Sequence, residues 1–518
     1  QQPWRKLEML NAHDWKLYRN DYFGTEVYTP EQINDNTIDT KWQDYIFRTA
    51  PISNYELSTS GGDEKTRFYI SGNLFNQTGT LIGSDYRRIN NSVTIGTSIG
   101  LSYAKTNRIE GDQSLHGVLP NGISTPAVFP VYNSDGSYNQ DGPYSNPVSI
   151  ANEATNENFS YRGLGNIYLD WKIWKGLTFS TKWGIDFMNF REHAFEYNTV
   201  QGRKYNGLGF ETYTNVGNLV SNNTLKYSFD LQDNRFEVLA GYSFERKNVA
   251  SSYIRGQDYA DASLQYINSA STITSASSGA SNEGIRSLFG RINYNLKDKY
   301  LVSLTGRMDG SSRFSENNRN GFFPAVSAAW RLGEEDFFKS NVISELKVRG
   351  SFGLTGNDDI PQFLYAELYG NTTYGGKPAV YPSNIPNPDL KWESTRSFNF
   401  GLDFTVLKGK LSGSIDYFNK DTRDILFPRE AADPVTPNGA IKWTNIDGNV
   451  INTGVEIALN STIVKKENFS WDLGVNATFQ SNELKNFVGE IPTGEVSGQG
   501  LTGAYSQLIK NGFPINTF

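Results

Sequence analysis

The 518-residue chain contains no cysteine, so it forms no disulfide and no thiolate metal site, and nothing in it betrays a redox compartment. Its three histidines, His13, His116 and His193, lie far apart without a second ligand at metal spacing, and read as ordinary surface or loop residues. No run of about 18 apolar residues occurs, which excludes a membrane-spanning helix. The opening QQPWRKLEML has no apolar segment of the secretory kind. Helix-period segments are nearly absent, and no Gly/Ser-rich, Pro-rich or single-sign charged block divides the chain. Excess positive charge is missing too: a net charge of -7 and a pI near 5.3 argue against a nucleic-acid partner.

Catalytic signatures are equally scarce. There is no nucleophile elbow, no phosphate-cradling glycine loop and no HExxH. Carboxylate pairs such as Glu334-Glu335 fall in turns without an acid–base partner. The sequences NDD (357–359) and NIDGNVINTG (445–454) resemble cation loops only loosely, and Asp447-Gly448 reads as a turn. The expectation is therefore no enzyme, no cofactor and no metal.

Aromatic residues are plentiful: 29 Tyr, 32 Phe and 10 Trp make up 14% of a chain that is only 37% hydrophobic, with a mean hydropathy of -0.52. A soluble protein of this length needs a thick aliphatic core. A membrane barrel with a wet lumen needs only an outward apolar skin and aromatic belts. The competing fold is a large soluble β-sandwich array or propeller.

The strands favour the barrel. In FSWDLGVNATFQ (469–480), Phe469, Trp471, Leu473, Val475, Ala477 and Phe479 hold one phase and polar or small residues the other. The same alternation runs through Ile167, Leu169, Trp171 and Ile173, then through Trp183, Ile185 and Phe187. It returns in Leu346, Val348 and Phe352, in Phe398, Phe400, Leu402 and Phe404, and in Ile415 and Tyr417. Mid-strand charges such as Lys347, Arg349, Asp403 and Asp416 put the second face in water.

Connections alternate as well. Tight turns fall at WKG (174–176), QDN (232–234), LKDK (296–299), LKGK (407–410) and VKKEN (464–468). Between them stand long connections over 191–211, 248–283, 309–320, 356–392 and 421–448, and a middling one over 332–343 where GEEDFF suits a helical turn. Short turns at one end and long loops at the other mark outer-membrane barrels. The segment 86–105 must descend and return within very few residues, with its turn at Asn90-Asn91-Ser92 or Gly96-Thr97, or with part of the hairpin missing. The predicted fold is all-β: an incomplete antiparallel transmembrane β-barrel of roughly 15–16 strands, with short periplasmic turns and long outer loops.

Two kinds of loop residue suggest binding. Tyr132, Tyr138 and Tyr144 lie among Asn133, Asn139 and Asn146, while Tyr369, Tyr374, Tyr381 and Trp443 occupy two other loops. Flat aromatic faces beside planar amides suit a sugar, so these seven are the candidate substrate contacts; packing of loops onto one another is the alternative.

Several long segments resemble the barrel of SusC/RagA-type TonB-dependent outer-membrane transporters. They are WQDYIFRTAPISNYELSTSGGDEKTRFYISGNLFNQTGTLIGSDYRR (42–88), FGRINYNLKDKYLVSLTGRMDGSSRF (289–314), GFFPAVSAAWRLGEEDFF (321–338), LKVRGSFGLTGN (346–357), NPDLKWESTRSFNFGLDF (387–404) and NVINTGVEI (449–457), in family order over nearly the whole chain. The resemblance implies import of oligosaccharides or peptides through a plugged barrel of about 22 strands. It also implies a SusD-like surface lipoprotein as lid and energy delivered through TonB by way of the plug. On that comparison residues 1–518 are a partial barrel domain, lacking the N-terminal plug and the closing strands, and Phe518 is an internal point of the parent. Its DGSSRF and LKWE motifs look architectural. A non-energised glycan-binding anchor or adhesin of the Gram-negative outer membrane is the second functional reading.

Overall fold

The computed structural model describes residues 6–62, 67–94, 97–109, 117–196, 206–338, 340–430, 441–498 and 501–518. The first half of the strand succession is β1 (Ile52–Gly62), β2 (Arg67–Thr78), β3 (Asp85–Thr94), β4 (Thr97–Asn107), β5 (Thr155–Trp174), β6 (Leu177–Glu196), β7 (Leu208–Leu231) and β8 (Asn234–Tyr259). Next come β9 (Ala270–Leu296), β10 (Tyr300–Ser311), β11 (Asn320–Arg331), β12 (Ile343–Asn357), β13 (Tyr369–Tyr374), β14 (Lys377–Pro382), β15 (Glu393–Val406) and β16 (Leu411–Arg423). The last are β17 (Ile425–Glu430), β18 (Ile441–Ile446), β19 (Asn449–Lys466), β20 (Phe469–Lys485), β21 (Glu490–Gly498) and β22 (Leu501–Lys510).

Sixteen of these form one sheet in chain order, β1 to β12 followed by β15, β16, β19 and β20. The pairs β13–β14, β17–β18 and β21–β22 are separate two-stranded hairpins. Among the described residues β1 and β20 each have a single neighbour in this sheet. Two compact units share the chain: Gln1–Ile167 with Gly184–Leu219 and Lys247–Asn282, and the remainder.

The alternating residues do what their period requires. Leu169 and Trp171, on a strand with a neighbour on each side, are 55% and 57% exposed, and Phe398, Phe400, Ile415 and Tyr417 are likewise uncovered. Among the described residues no second layer lies on them. The buried apolar side chains gather instead in loops and at strand ends: around Ile446, Leu484, Phe487 and Ile509, around Phe314, Ile360 and Leu390, around Trp42, Val131 and Val148, and around Ile46, Val118 and Ile150. A sandwich buries its alternating faces against each other; this sheet leaves them bare, as a wall between lipid and water does.

The tight turns stand where the sequence puts them. Two of them, Lys297-Asp298 and Leu407-Lys408, take positive φ at both central residues, with Lys299 N bonding Leu296 O and Gly409 N bonding Val406 O. They close loops of three and four residues, between Leu296 and Tyr300 and between Val406 and Leu411. The reversal between β3 and β4 falls between Thr94 and Thr97; its residues 95–96 lie outside the described set, and Asn90-Asn91-Ser92 is strand, with Ser92 opposite Ser71. Between β11 and β12 a single 3-10 turn, Leu332–Glu334, starts one residue before GEEDFF.

Two expectations need correction. The stretch 248–283 is mostly strand, because β8 and β9 extend to Tyr259 and from Ala270 and leave only 260–269 between them. At 26 and 27 residues these strands far exceed the roughly 9–11 that cross a bilayer. Their outer halves, such as STITSASSGAS, pair in water and therefore show no apolar alternation. Helix is also less scarce than expected: α1 (Ala12–Phe23), α2 (Pro30–Asn34), α3 (Trp42–Ile46), α4 (Val118–Ser124) and α5 (Pro147–Glu153). Capping rather than an apolar stripe sets α1. Asn11 accepts from Asp14 N, left-handed Gly24 donates to Asn20 O, and Lys16 Nζ donates to the carbonyls of Gln32 and Asp35 at 2.8 and 2.7 Å.

Candidate functional site

In the first unit the Tyr/Asn loop is tied together by its own amides. Asn146 is buried; its Nδ2 donates to Val131 O at 2.8 Å and Asn139 O at 3.0 Å, and its Oδ1 accepts from Val148 N and Ser149 N as the cap of α5. Asn139 Nδ2 donates to Asn133 Oδ1 and Asp141 Oδ2. Asp135 accepts from both the N–H and the hydroxyl of Ser137, which holds its carboxyl below the usual aspartate value. Trp42 anchors this loop from α3, packing on Val131 and Val148 with its Nε1 donating to Pro126 O at 3.2 Å. The rings of Tyr132 and Tyr138 lie 5.3 Å apart, and Tyr138 Oη accepts from Asn152 Nδ2. Tyr138 and Tyr144 are half-buried, which leaves Tyr132 as the exposed ring of the three.

The second unit builds its loops on apolar packing. Phe314 and Leu390 are fully buried, with Ile360, Leu364, Trp392, Leu426 and Trp443 around them. Arg313 gathers three segments, donating from Nη2 to Glu283 at 2.7 Å, and from Nη1 to Asp358 O at 2.9 Å and Asp359 at 3.1 Å. Trp392 packs on Phe314 and Phe323 and donates to Arg319 O. DGSSRF and LKWE thus fasten loop bases. Trp443 is part of this packing, and its carbonyl accepts from Asn387 Nδ2. The hairpin β13–β14 carries the other three candidates. Tyr374 is 84% exposed beside Gly375-Gly376, Tyr369 is 58% exposed, and Tyr381 is half-buried across from Gly370. Four candidates therefore belong to the second unit and three to the first.

Sequence reasoning missed a polar site on the second unit's sheet. Arg349 on β12 reaches across β15: its Nε donates to Asp403 at 3.1 Å, and its Nη2 donates to Asp416 Oδ2 on β16 at 2.7 Å. Lys347 joins Asp403 at 3.2 Å. The crossing is possible because residue 401 is glycine; a Cβ there would stand 2.6 Å from both the guanidinium carbon and Asp416 Oδ1. Beside it lies an open concavity of about 530 Å³ lined by Arg235, Glu237, Asn293, Ser327, Arg349 and Asn399 among others. The alternation had already put Lys347, Arg349, Asp403 and Asp416 on the wet face. What it did not show was the cross-strand register that joins Arg349, Gly401 and Asp416 in one row.

A bare apolar phase, a wet charged phase, tight turns at one end and long loops at the other define an outer-membrane β-barrel. Residues 103–505 match the family described as TonB dependent receptor-like, beta-barrel, and the chain belongs to that family. Over 508 residues it is 29% identical to TonB-dependent receptor P3 of Formosa agariphila, covering 92% of this chain and 49% of that protein. Over 527 residues it is 27% identical to TonB-dependent receptor SusC of Bacteroides thetaiotaomicron, covering 94% and 52%. The fold superposes on that of the RagAB peptide importer in its closed-closed state with a TM-score of 0.84 at 20% identity, covering 98% of this chain and 62% of that one. It is a SusC/RagA-type chain of the Gram-negative outer membrane, and it spans about half the length of the curated relatives it matches.

Proposed function

We propose that this chain supplies barrel wall and outer loops to a TonB-dependent importer of oligosaccharides or peptides. The importer works beneath a SusD-like lipoprotein lid and draws energy through TonB by way of a plug. Membership of the TonB-dependent receptor-like β-barrel family carries this reading. The similarity to SusC and the fold shared with the RagAB peptide importer support the two substrate classes and the lid. Exposed Tyr132 in the first unit, and exposed Tyr369 and Tyr374 in the second, are the substrate contacts of their own loops; Tyr138 packs on Tyr132, and half-buried Tyr144, Tyr381 and Trp443 serve the packing of the loops that carry them.

Uptake tests it. Cells carrying the full-length parent protein should accumulate a labelled oligosaccharide or peptide pool, and lose that accumulation when the proton gradient is collapsed. Surface binding that survives the collapse without accumulation would convert the reading to a passive anchor. Tyr374→Ala should weaken substrate capture several-fold at unchanged barrel stability, because an 84% exposed ring packs on little of the protein itself. Unchanged capture in both Tyr374→Ala and Tyr369→Ala would remove the hairpin from the site.

A further inference from the structure

We propose that the tight-turn end of the second unit carries a binding patch for anionic phospholipid headgroups of the periplasmic leaflet, centred on Lys408, Lys410, Lys465 and Lys466. The inference rests on the outer-membrane assignment above. The turn after β15 and the turn after β19 are neighbours, since β16 pairs with β19 and Thr462 N donates to Lys410 O at 3.1 Å. Together they hold four exposed lysines against one carboxylate, Glu467, in a chain whose net charge is -7. None of the four has an ion-pair partner among the described residues, whereas Lys391 before β15, Arg423 at the end of β16 and Lys485 at the end of β20, all away from the tight turns, do. Two acids of the adjoining strands are already engaged, Asp472 accepting from the Thr462 hydroxyl and Glu345 from the Thr405 hydroxyl, and in the neighbouring 332–343 connection Glu335 accepts from Lys299, Tyr300 and Trp330.

The occupant follows from what lies directly above. Lys466 stands opposite Phe469, and Val464 opposite Trp471, at the foot of the uncovered apolar phase of β20. Exposed Leu407, Val342 and Ile463 surround the same turns. The patch is therefore continuous with the lipid-facing surface and begins where that surface ends, at headgroup depth. Long lysine stems reach from apolar ground to a polar layer, and phosphate is the anion that layer offers. A zwitterionic headgroup carries its own cation and gains little there; a glycerophospholipid with net negative charge gains about fivefold in local population per lysine.

The test uses the full-length parent protein in bilayers of equal phosphatidylethanolamine and phosphatidylglycerol, with the lipids retained after solubilisation counted by mass spectrometry. The wild type should retain an excess of phosphatidylglycerol. The variant K408Q/K410Q/K465Q/K466Q should lose at least fivefold of that excess, the corresponding arginine variant should keep it, and Lys377→Gln with Lys442→Gln in the long loops should leave it unchanged. An excess that survives the glutamine variant, or a wild type that retains the bulk ratio, overturns the proposal. Failure to enter the bilayer at all would overturn the barrel reading and this inference with it, a signature distinct from insertion without lipid preference.

Discussion

The loops of the first unit and those of the second reach order by opposite means. Around residues 131–149 the contacts that decide the conformation are amides: Asn146, Asn139 and Asn133 satisfy backbone groups and one another, and the apolar part is small. Around 313–392 a buried Phe314 sits among aliphatic and indole side chains, and Arg313 pins the outside. Amide networks specify one geometry because each member lost leaves a partner unsatisfied. Apolar clusters instead lose stability with the volume removed. The same residue types therefore carry different meanings in the two places. Asparagines that stand beside the candidate tyrosines are structural in the first region, and Tyr369 and Tyr374 of the second stand exposed in a region whose packing is supplied by indole and phenylalanine side chains.

The strongest way to break this comparison is Phe314→Ala. Emptying a fully buried aromatic site should cost about 3–5 kcal/mol in the second region. In hydrogen exchange, residues 313–392 should open while 131–149 keep their protection. Equal loss in both would mean that the two regions fold as one cooperative body.

Asn146→Ala is the counterpart. It strips the cap of α5 and removes the Asn146 donor from the Val131 and Asn139 carbonyls, of which Val131 O keeps the Asn139 N–H at 3.0 Å, at a cost of about 1–3 kcal/mol confined to the first region. Asn146→Asp should recover the cap and not the carbonyl bonds, so its protection should fall between wild type and Ala. An Asn146→Ala profile identical to wild type would show that packing by Trp42 alone suffices.

How far the sequence foretold these differences depends on what each element answers to. Wherever one face meets lipid and the other water, alternation is compulsory, and Phe469 to Phe479 or Ile167 to Ile173 could be read directly. The positions of the tight turns followed. The long extensions of β8 and β9 were hidden because both faces are wet and SASSGAS carries no phase. Helix α1 was hidden because capping by Asn11 and Gly24 and the contacts of Lys16 set it, and those partners lie as far off as Asp35. Among the candidate contacts, no local pattern separates an exposed Tyr374 from a half-buried Trp443. That distinction comes from partners such as Phe314 that lie more than a hundred residues away in sequence.

The wall offers a sharper and smaller test. Gly401→Ala would push Arg349 off the row that links β12 to β16, costing about 1 kcal/mol through displaced side chains. Heat-modifiability on gels should shift to lower temperature, with both loop regions unaltered in exchange. In an Arg349→Ala background the same substitution should cost less, because the crossing guanidinium is gone; equal cost in both backgrounds would rule out the clash.

The smallest effect concerns pH and separates the two regions without any substitution. Asp135 has its carboxyl held below the ordinary value of 3.8 by the hydroxyl and N–H of Ser137. A lowered folded-state pKa means that the unfolded loop binds the proton more readily. The contribution is therefore fully present above 3.8 and disappears as the pH falls through the lower folded-state value. Because this aspartate is fully exposed, the consequence should be local: faster opening of 133–137 on acidification, with the amides around buried Phe314 unaffected over the same interval. Ser137→Ala should weaken the acid dependence at 133–137 by removing the hydroxyl donor while the N–H at 137 stays, and Asp135→Asn should abolish it; a dependence that persisted in Asp135→Asn would assign the acid response to a different carboxylate.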